Sequence, residues 1–192
     1  MTIPAAPDRA PAHEGLRAAI RADIAHYALR DGERIGAAFL LRLFLLTPGF
    51  QFVLARRIQD GLGRIPVIGR TARRVWWWWT CRRFGAELAM DATFGGGLYI
   101  PHPYGIVVGV CRVGRNVTIL QNVTIGTRTP HDVGRAVIGD GAYLAAGSVI
   151  LGPIRIGVDG RIAANAVVLH DVMDRSTAAG VPARIVSDVK PS

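Results

Sequence analysis

Cysteine is scarce in this chain. Cys81 and Cys111 are the only two among 192 residues, and they stand in no metal-binding or redox spacing. That excludes a disulfide framework and suits a reducing compartment. The first thirteen residues lack the apolar core of a signal peptide, so neither cleavage nor secretion is expected and they read as a flexible lead-in. Long hydrophobic runs are missing too. The apolar stretch before Thr47-Pro48-Gly49 is too short for a bilayer span and carries Arg42, which argues against a transmembrane helix. Acidic residues are outnumbered, 14 against 23 Lys and Arg, for a net charge of +9. Most of the excess lies between Arg56 and Arg83, where eight arginines face Asp60 alone and surround the run Trp76–Trp79. Such a segment suits an anionic membrane surface or an anionic substrate. No recognised nucleic-acid-binding motif accompanies the charge, so nucleic acid is not an expected partner.

Hydrophobic residues, by contrast, make up 50% of the chain, enough for a sizeable core without crosslinks. They follow two different rhythms. From Glu14 to Leu29 apolar residues recur at helical spacing (Leu16, Ala19, Ile20, Ile24, Tyr27), and Asp31-Gly32 reads as a stop. A second helical stretch begins near Ile35, meets Pro48 and resumes from Phe50 to Ile58; a third is predicted from Ile68 to Phe84. Four successive tryptophans cover the whole circumference of a helix. Some of Trp76–Trp79 must therefore face another subunit, a lipid surface or the second half of the chain.

From Val113 onward the chain steps by six. Val113, Ile119 and Ile125 form one series; Ile138, Leu144, Ile150, Ile156, Ile162 and Val168 form the next. The residue two places before each is mostly small or β-branched, as in Cys111, Val117, Ala142 and Ala166. A six-residue period is no α-helix. Short strands joined by tight turns, with one large aliphatic inward per step, predict a parallel β-helix. Fainter steps at Phe94, Ile100 and Ile106 bring the array to roughly four coils. The rhythm breaks once, between Ile125 and Ile138, where a polar segment carries His131 and Arg135. An irregular loop leaving a rigid solenoid is a candidate for lining a site. At the mouth of the array, in Gly97–Gly109 (GLYIPHPYGIVVG), His102 stands between two prolines.

The segments HPYGIVVG, VGRNVTILQNVTIGT and IGDGAYLAAGSVILGPIRIG, with the ending AAGVPARIV, resemble the hexapeptide-repeat acyltransferases, and within them the serine O-acetyltransferase family. A related branch associated with exopolysaccharide assembly also carries Pro-His-Pro at this place. The resemblance implies an α+β chain: flexible residues 1–13, a helical domain over 14–86, a left-handed parallel β-helix over 87–185 and a tail over 186–192. It also implies a homotrimer, or a dimer of trimers, with sites between subunits, and acetyl-CoA as co-substrate. His102 aligns with the family's catalytic histidine, the expected general base for an acceptor hydroxyl. Glu87, fifteen residues earlier, takes the place of the acid that orients it, and Asp31 corresponds to a second family acid. The family's Arg-His loop pair falls on Arg135-Ala136, with His131 a substitute for the histidine, while the acid that usually precedes the catalytic histidine is Pro101. Along the pantetheine arm the pattern places Gly126, Thr127, Ala146 and Ala164, with Arg161 and Arg184 toward the phosphates. No cysteine occupies a nucleophile's place, which implies direct transfer.

Three functions follow: acetyl transfer to serine, acetyl transfer to a sugar hydroxyl of an exopolysaccharide or lipid-linked precursor, or a non-catalytic solenoid. His102, His131 and His170 make no close set, so no metal is expected. The ending VKPS lacks the isoleucine that engages cysteine synthase, so that complex is not expected. The reading places the protein in the cytoplasm, free or peripheral at the inner membrane face.

Overall fold

The structure, a computed structural model, describes residues 15–129, 131 and 134–188. The expected flexible lead-in over 1–13 lies outside the described residues. Four helices come first: α1 (Leu16–Asp31), α2 (Ala37–Leu46), α3 (Pro48–Leu62) and α4 (Gly69–Phe84). Gly32 ends α1 in the left-handed conformation at φ 68°, as the Asp31-Gly32 signal predicts. Pro48 cannot continue α2 but suits the first turn of α3, and the chain bends by 79° between the two. Among the described residues no single helix is long and apolar enough to cross a membrane.

The rest winds into a three-sided parallel β-helix. The first coil holds β1 (Glu87–Leu88), β2 (Thr93–Phe94) and a bridge at Tyr99; the second holds β3 (Val107–Val108), β4 (Cys111–Val113) and β5 (Thr118–Ile119). The third holds β6 (Thr124–Gly126), β7 (Ala136–Ile138) and β8 (Tyr143–Leu144), and the fourth β9 (Val149–Leu151), β10 (Arg155–Ile156) and β11 (Arg161–Ile162). A fifth holds β12 (Val167–Val168), a bridge at Val172 and β13 (Ser176–Gly180). The first face stacks β1, β3, β6, β9 and β12; the second and third stack the other two members of each coil, all parallel. β14 (Ala183–Asp188) returns antiparallel to β13, so strand pairing continues past the expected end at residue 185.

Every residue of the two six-step series is at most 2% exposed. The column is the core, and each of its larger aliphatics is worth roughly 2–5 kcal/mol against alanine. There are five rungs on the first face rather than four coils. The lowest was hidden because Glu87 pairs with Val107, twenty residues on, whereas Val149 pairs with Val167, eighteen on. The glycines that follow the aliphatic positions are explained by stacking. A Cβ on Gly139 would lie 2.7 Å from the Gly157 carbonyl carbon one coil above.

The open end of the first coil would leave backbone groups without partners. Helical side chains supply them. Arg56 donates to the carbonyls of Ala89 and Ala92 at 2.9 and 2.6 Å, and Arg57 to those of Phe94 and Gly95 at 2.9 and 2.6 Å. Asp23 Oδ1 accepts the amides of Gly97 and Leu98, each at 2.8 Å, and the same carboxylate holds Arg57 through two 2.9 Å bonds. Asp23, Arg56 and Arg57 are each no more than 2% exposed. Burial lowers the Arg56 pKa, opposed mainly by Asp60. His26 accepts from Arg30 Nε at 3.1 Å through Nε2, which leaves Nδ1–H to donate to the Gly97 carbonyl. Arg30 continues to Thr118 Oγ1 on the second coil at 3.2 Å.

Two outcomes are expected. Asp23→Ala strands a buried guanidinium and two amides, and lowers unfolding free energy by roughly 3–5 kcal/mol in a denaturant titration. Burial, opposed by the Gly97 carbonyl, holds the His26 pKa below its ordinary 6.5. His26 is then neutral in the fold and takes up a proton more readily once unfolded, so its contribution is complete above about pH 6.5 and fades as pH falls. Melting temperatures measured from pH 7.5 downward should fall less steeply for His26→Gln than for the parent chain.

Candidate active site

Three corners run up the prism, and the one between the third and first faces carries His102. In the upper coils this corner is three residues long: Leu120-Gln121-Asn122, Ala145-Ala146-Gly147 and Ala163-Ala164-Asn165. At the bottom it is five, Pro101-His102-Pro103-Tyr104-Gly105, between the buried Ile100 and Ile106. The stack is in register through backbone bonds: Asn122 N to Tyr104 O, Gly147 N to Gln121 O and Asn165 N to Ala146 O, at 2.9–3.0 Å. Gly105 turns at φ 66°, and the Asn122 carboxamide fills the space above it where a Cβ would go. The two extra residues bulge outward, and His102 and Tyr104 are exposed.

The helical half fixes this bulge from below. The Tyr27 hydroxyl donates to the Ile100 carbonyl at 2.8 Å and accepts the Ile100 amide at 3.2 Å. At the start of α3, Gly49 lies so close that a Cβ would come within 1.8 Å of the Ile100 oxygen and 2.8 Å of the Pro101 oxygen. Asp31 comes to the same region: it accepts from the Tyr99 hydroxyl at 3.2 Å and from Arg42 at 3.1 Å. Burial, followed by Asp31, raises the Tyr99 pKa.

Glu87 is half-buried on β1 beside inward-facing Leu88, so it points outward on the first face, one coil below Val107. No hydrogen bond joins it to His102. Ala146 and Ala164 stand two and three corners above His102, the higher of them about 14 Å up at the usual strand spacing. Arg184 lies near their upper end, exposed on β14 opposite Ala179, its guanidinium 3.0 Å from the Ala183 carbonyl. These residues share one edge of the prism.

The others lie elsewhere. Gly126 ends β6 and Thr127 follows it, at the far end of the first face, where the loop with exposed His131 and Arg135 departs. Arg161 opens β11 and lines a cleft against α1 with Ala22, His26, Arg30 and Asp159. Among the described residues of one chain, then, neither His131 and Arg135 nor Arg161 is brought to His102. Ala136 is also not a loop position: it is 4% exposed, inside β7 opposite Cys111. A histidine there would enter the core, so the family's Arg-His pair has no counterpart at 135–136. The buried Cys111 thiol, pushed up to about 12 by desolvation, is a core residue.

The sequence reading missed one polar group. Gln121, in the corner directly above the bulge, keeps its Oε1 buried with no partner. Such an atom is costly unless a donor, from water or from a ligand, meets it. With the methyl groups of Ala146 and Ala164 above, the edge suits a thin ligand carrying amide N–H donors, as the pantetheine arm does. Among the described residues no three His, Cys, Asp or Glu side chains group to hold a metal.

Gly49→Ala should lower stability by about 1–3 kcal/mol and move the Ile100–Pro101 backbone. A melt reads the first effect, and a shift of the His102 ring resonances in NMR reads the second.

No family model matches the chain. Curated relatives do. It is 43% identical over 105 residues to the serine acetyltransferase of Bacillus subtilis, covering 53% of this chain and 48% of that protein. It is 32% identical over 178 residues to the Mycobacterium tuberculosis serine acetyltransferase, covering 91% and 75%. The crystal structure of Neisseria gonorrhoeae serine acetyltransferase superposes with a TM-score of 0.81 at 32% identity, covering 94% of this chain and 70% of that one; a second structure of it is a complex with serine, at a TM-score of 0.77 and 34% identity, covering 90% and 69%. The chain spans about half the length of the Bacillus subtilis relative. The helices followed by a left-handed β-helix are the architecture of these structures, and the chain belongs to the serine acetyltransferase family.

Proposed function

We propose that this protein transfers the acetyl group of acetyl-CoA to a hydroxyl, with His102 as general base. The observation that carries the reading is the lengthened corner. There an exposed histidine stands at the foot of an edge lined by Gln121, Ala146 and Ala164. His102 takes the acceptor's proton as its oxygen attacks the thioester carbonyl. The tetrahedral intermediate collapses, the carbon–sulfur bond breaks, and the CoA thiolate leaves and recovers the proton from the imidazolium. Glu87, which makes no hydrogen bond to the ring in this structure, is the positioning residue that the resemblance assigns to orient it. The Gly126 end of the first face, with its loop, is the natural neighbour of a second copy. In a homotrimer, alone or paired, the His131–Arg135 loop of one subunit would close the His102 edge of the next. On this reading the reaction takes place in the cytoplasm.

Serine is the first acceptor, supported by the serine complex of the Neisseria relative. A specific feature favours a second reading, a sugar hydroxyl. Pro101 stands beside His102 where the resemblance expects an acid, and the family's loop histidine has no counterpart at Ala136, which lies inside β7. An amino-acid acceptor would then have fewer partners for its charged ends.

Thiol release from acetyl-CoA, measured with L-serine and with a panel of sugars, tests both. Acceptor-dependent release is expected to fall by roughly 10²–10⁴ in kcat/KM for His102→Ala. Unchanged transfer by that variant would overturn the role of His102. Release that depends on a sugar and not on serine would overturn the first acceptor.

A further inference from the structure

The four tryptophans divide between inside and outside. Trp76 packs against the core and donates its indole N–H to the Ala55 carbonyl at 2.8 Å, and Trp77 Nε1 is buried. Trp78 and Trp79 are 55% and 45% exposed. At 100° per residue they share one face of α4 with Ile68 and Val75, which are 64% and 59% exposed. Just before the helix, Ile65 and Val67 extend the apolar surface. Val67 is 98% exposed and is held at φ 65°, an unfavourable conformation for a β-branched residue, at the tip of the turn.

This face is bordered by cations, and Arg82 lies within it. Arg64, Arg70, Arg74, Arg82 and Arg83 are exposed, and no acidic residue occurs from Gly61 to Ala86. Arg82 lies 5.1 Å from the Trp78 ring, with its guanidinium over the indole. Two copies meeting through this face would bring like charges together without compensation. An anionic surface meets the charge, and its interfacial zone accepts the indoles and the apolar turn.

We propose that α4 and the turn before it form a docking surface for an anionic lipid bilayer, with Val67, Val75, Trp78 and Trp79 entering the headgroup boundary and the arginines pairing with phosphates. The His102 edge belongs to the other half of the molecule, so docking and acetyl transfer can be tested separately.

The full chain is sedimented with vesicles of phosphatidylcholine, alone or mixed with phosphatidylglycerol. Binding is expected only to the mixed vesicles, and is expected to be lost near 1 M salt, where the Debye length is about 3 Å. Bound protein should show blue-shifted tryptophan emission quenched by brominated acyl chains. Trp78→Ser/Trp79→Ser should weaken partitioning by roughly tenfold or more, and Arg82→Gln/Arg83→Gln by roughly twentyfold, with both variants melting cooperatively. Failure to bind mixed vesicles, equal binding to pure phosphatidylcholine, or parent-like binding by both variants would overturn the proposal. A smaller mass for the tryptophan variant in light scattering would overturn it too, by assigning the face to contact between copies.

Discussion

Everything in this molecule rests on how the first coil is closed from below. A parallel β-helix satisfies its backbone by stacking, so each coil depends on the next, and the lowest has nothing beneath it. Here the missing partners are two guanidinium groups, one carboxylate, one imidazole and one phenol. Arg56 and Arg57 satisfy carbonyls from Ala89 to Gly95, Asp23 takes two amides, and His26 and Tyr27 continue the series to Ile100. Buried charge of this kind is expensive unless every group is paired. The carboxylate is paired with Arg57 and Arg56 is partly offset by Asp60, so the cap is polar and mostly paired, with Arg56 Nε left buried without a partner.

That cap also shapes the candidate site. Tyr27, Asp31 and Gly49 touch the same stretch, Tyr99 to Pro101, that delivers His102. The helical half therefore supports the reactive corner as well as the solenoid. Its other surface, the outer face of α4, shares none of these contacts, and its charge and exposed indoles follow a separate logic. The same local excess of arginine thus does two jobs: Arg56 and Arg57 bind backbone inside, while Arg70, Arg74, Arg82 and Arg83 face solvent.

The edge above His102 shows how a repetitive wall acquires a site. Its three upper corners are short and, apart from Leu120, carry small or amide residues, because stacked coils leave little room there. Only the lowest corner, braced by helices, has five residues to spare for a bulge. Gln121 sits at the junction of the two regimes, with an acceptor oxygen that the protein itself does not satisfy.

The six-residue period determined the β-helix, its inward column from Val113 to Val168 and the break that carries the loop. These depend on neighbours along the chain, and a side chain's inward or outward direction follows from its place in the step. His102 was legible for the same reason, as a residue that interrupts the step. Other features depended on contacts between residues far apart in sequence, and only the tertiary structure decided them. No local pattern distinguishes Arg57, buried against the first coil, from Arg74, exposed on α4. None separates Trp76, bonded to Ala55, from Trp79. The resemblance puts Ala136 in the loop pair, whereas β7 pairs it with Cys111 in the core, and Arg161, grouped with Ala164 by the resemblance, turns toward a different corner of the prism. Period sets which way a residue faces; docking of the helices onto the first coil sets what it meets.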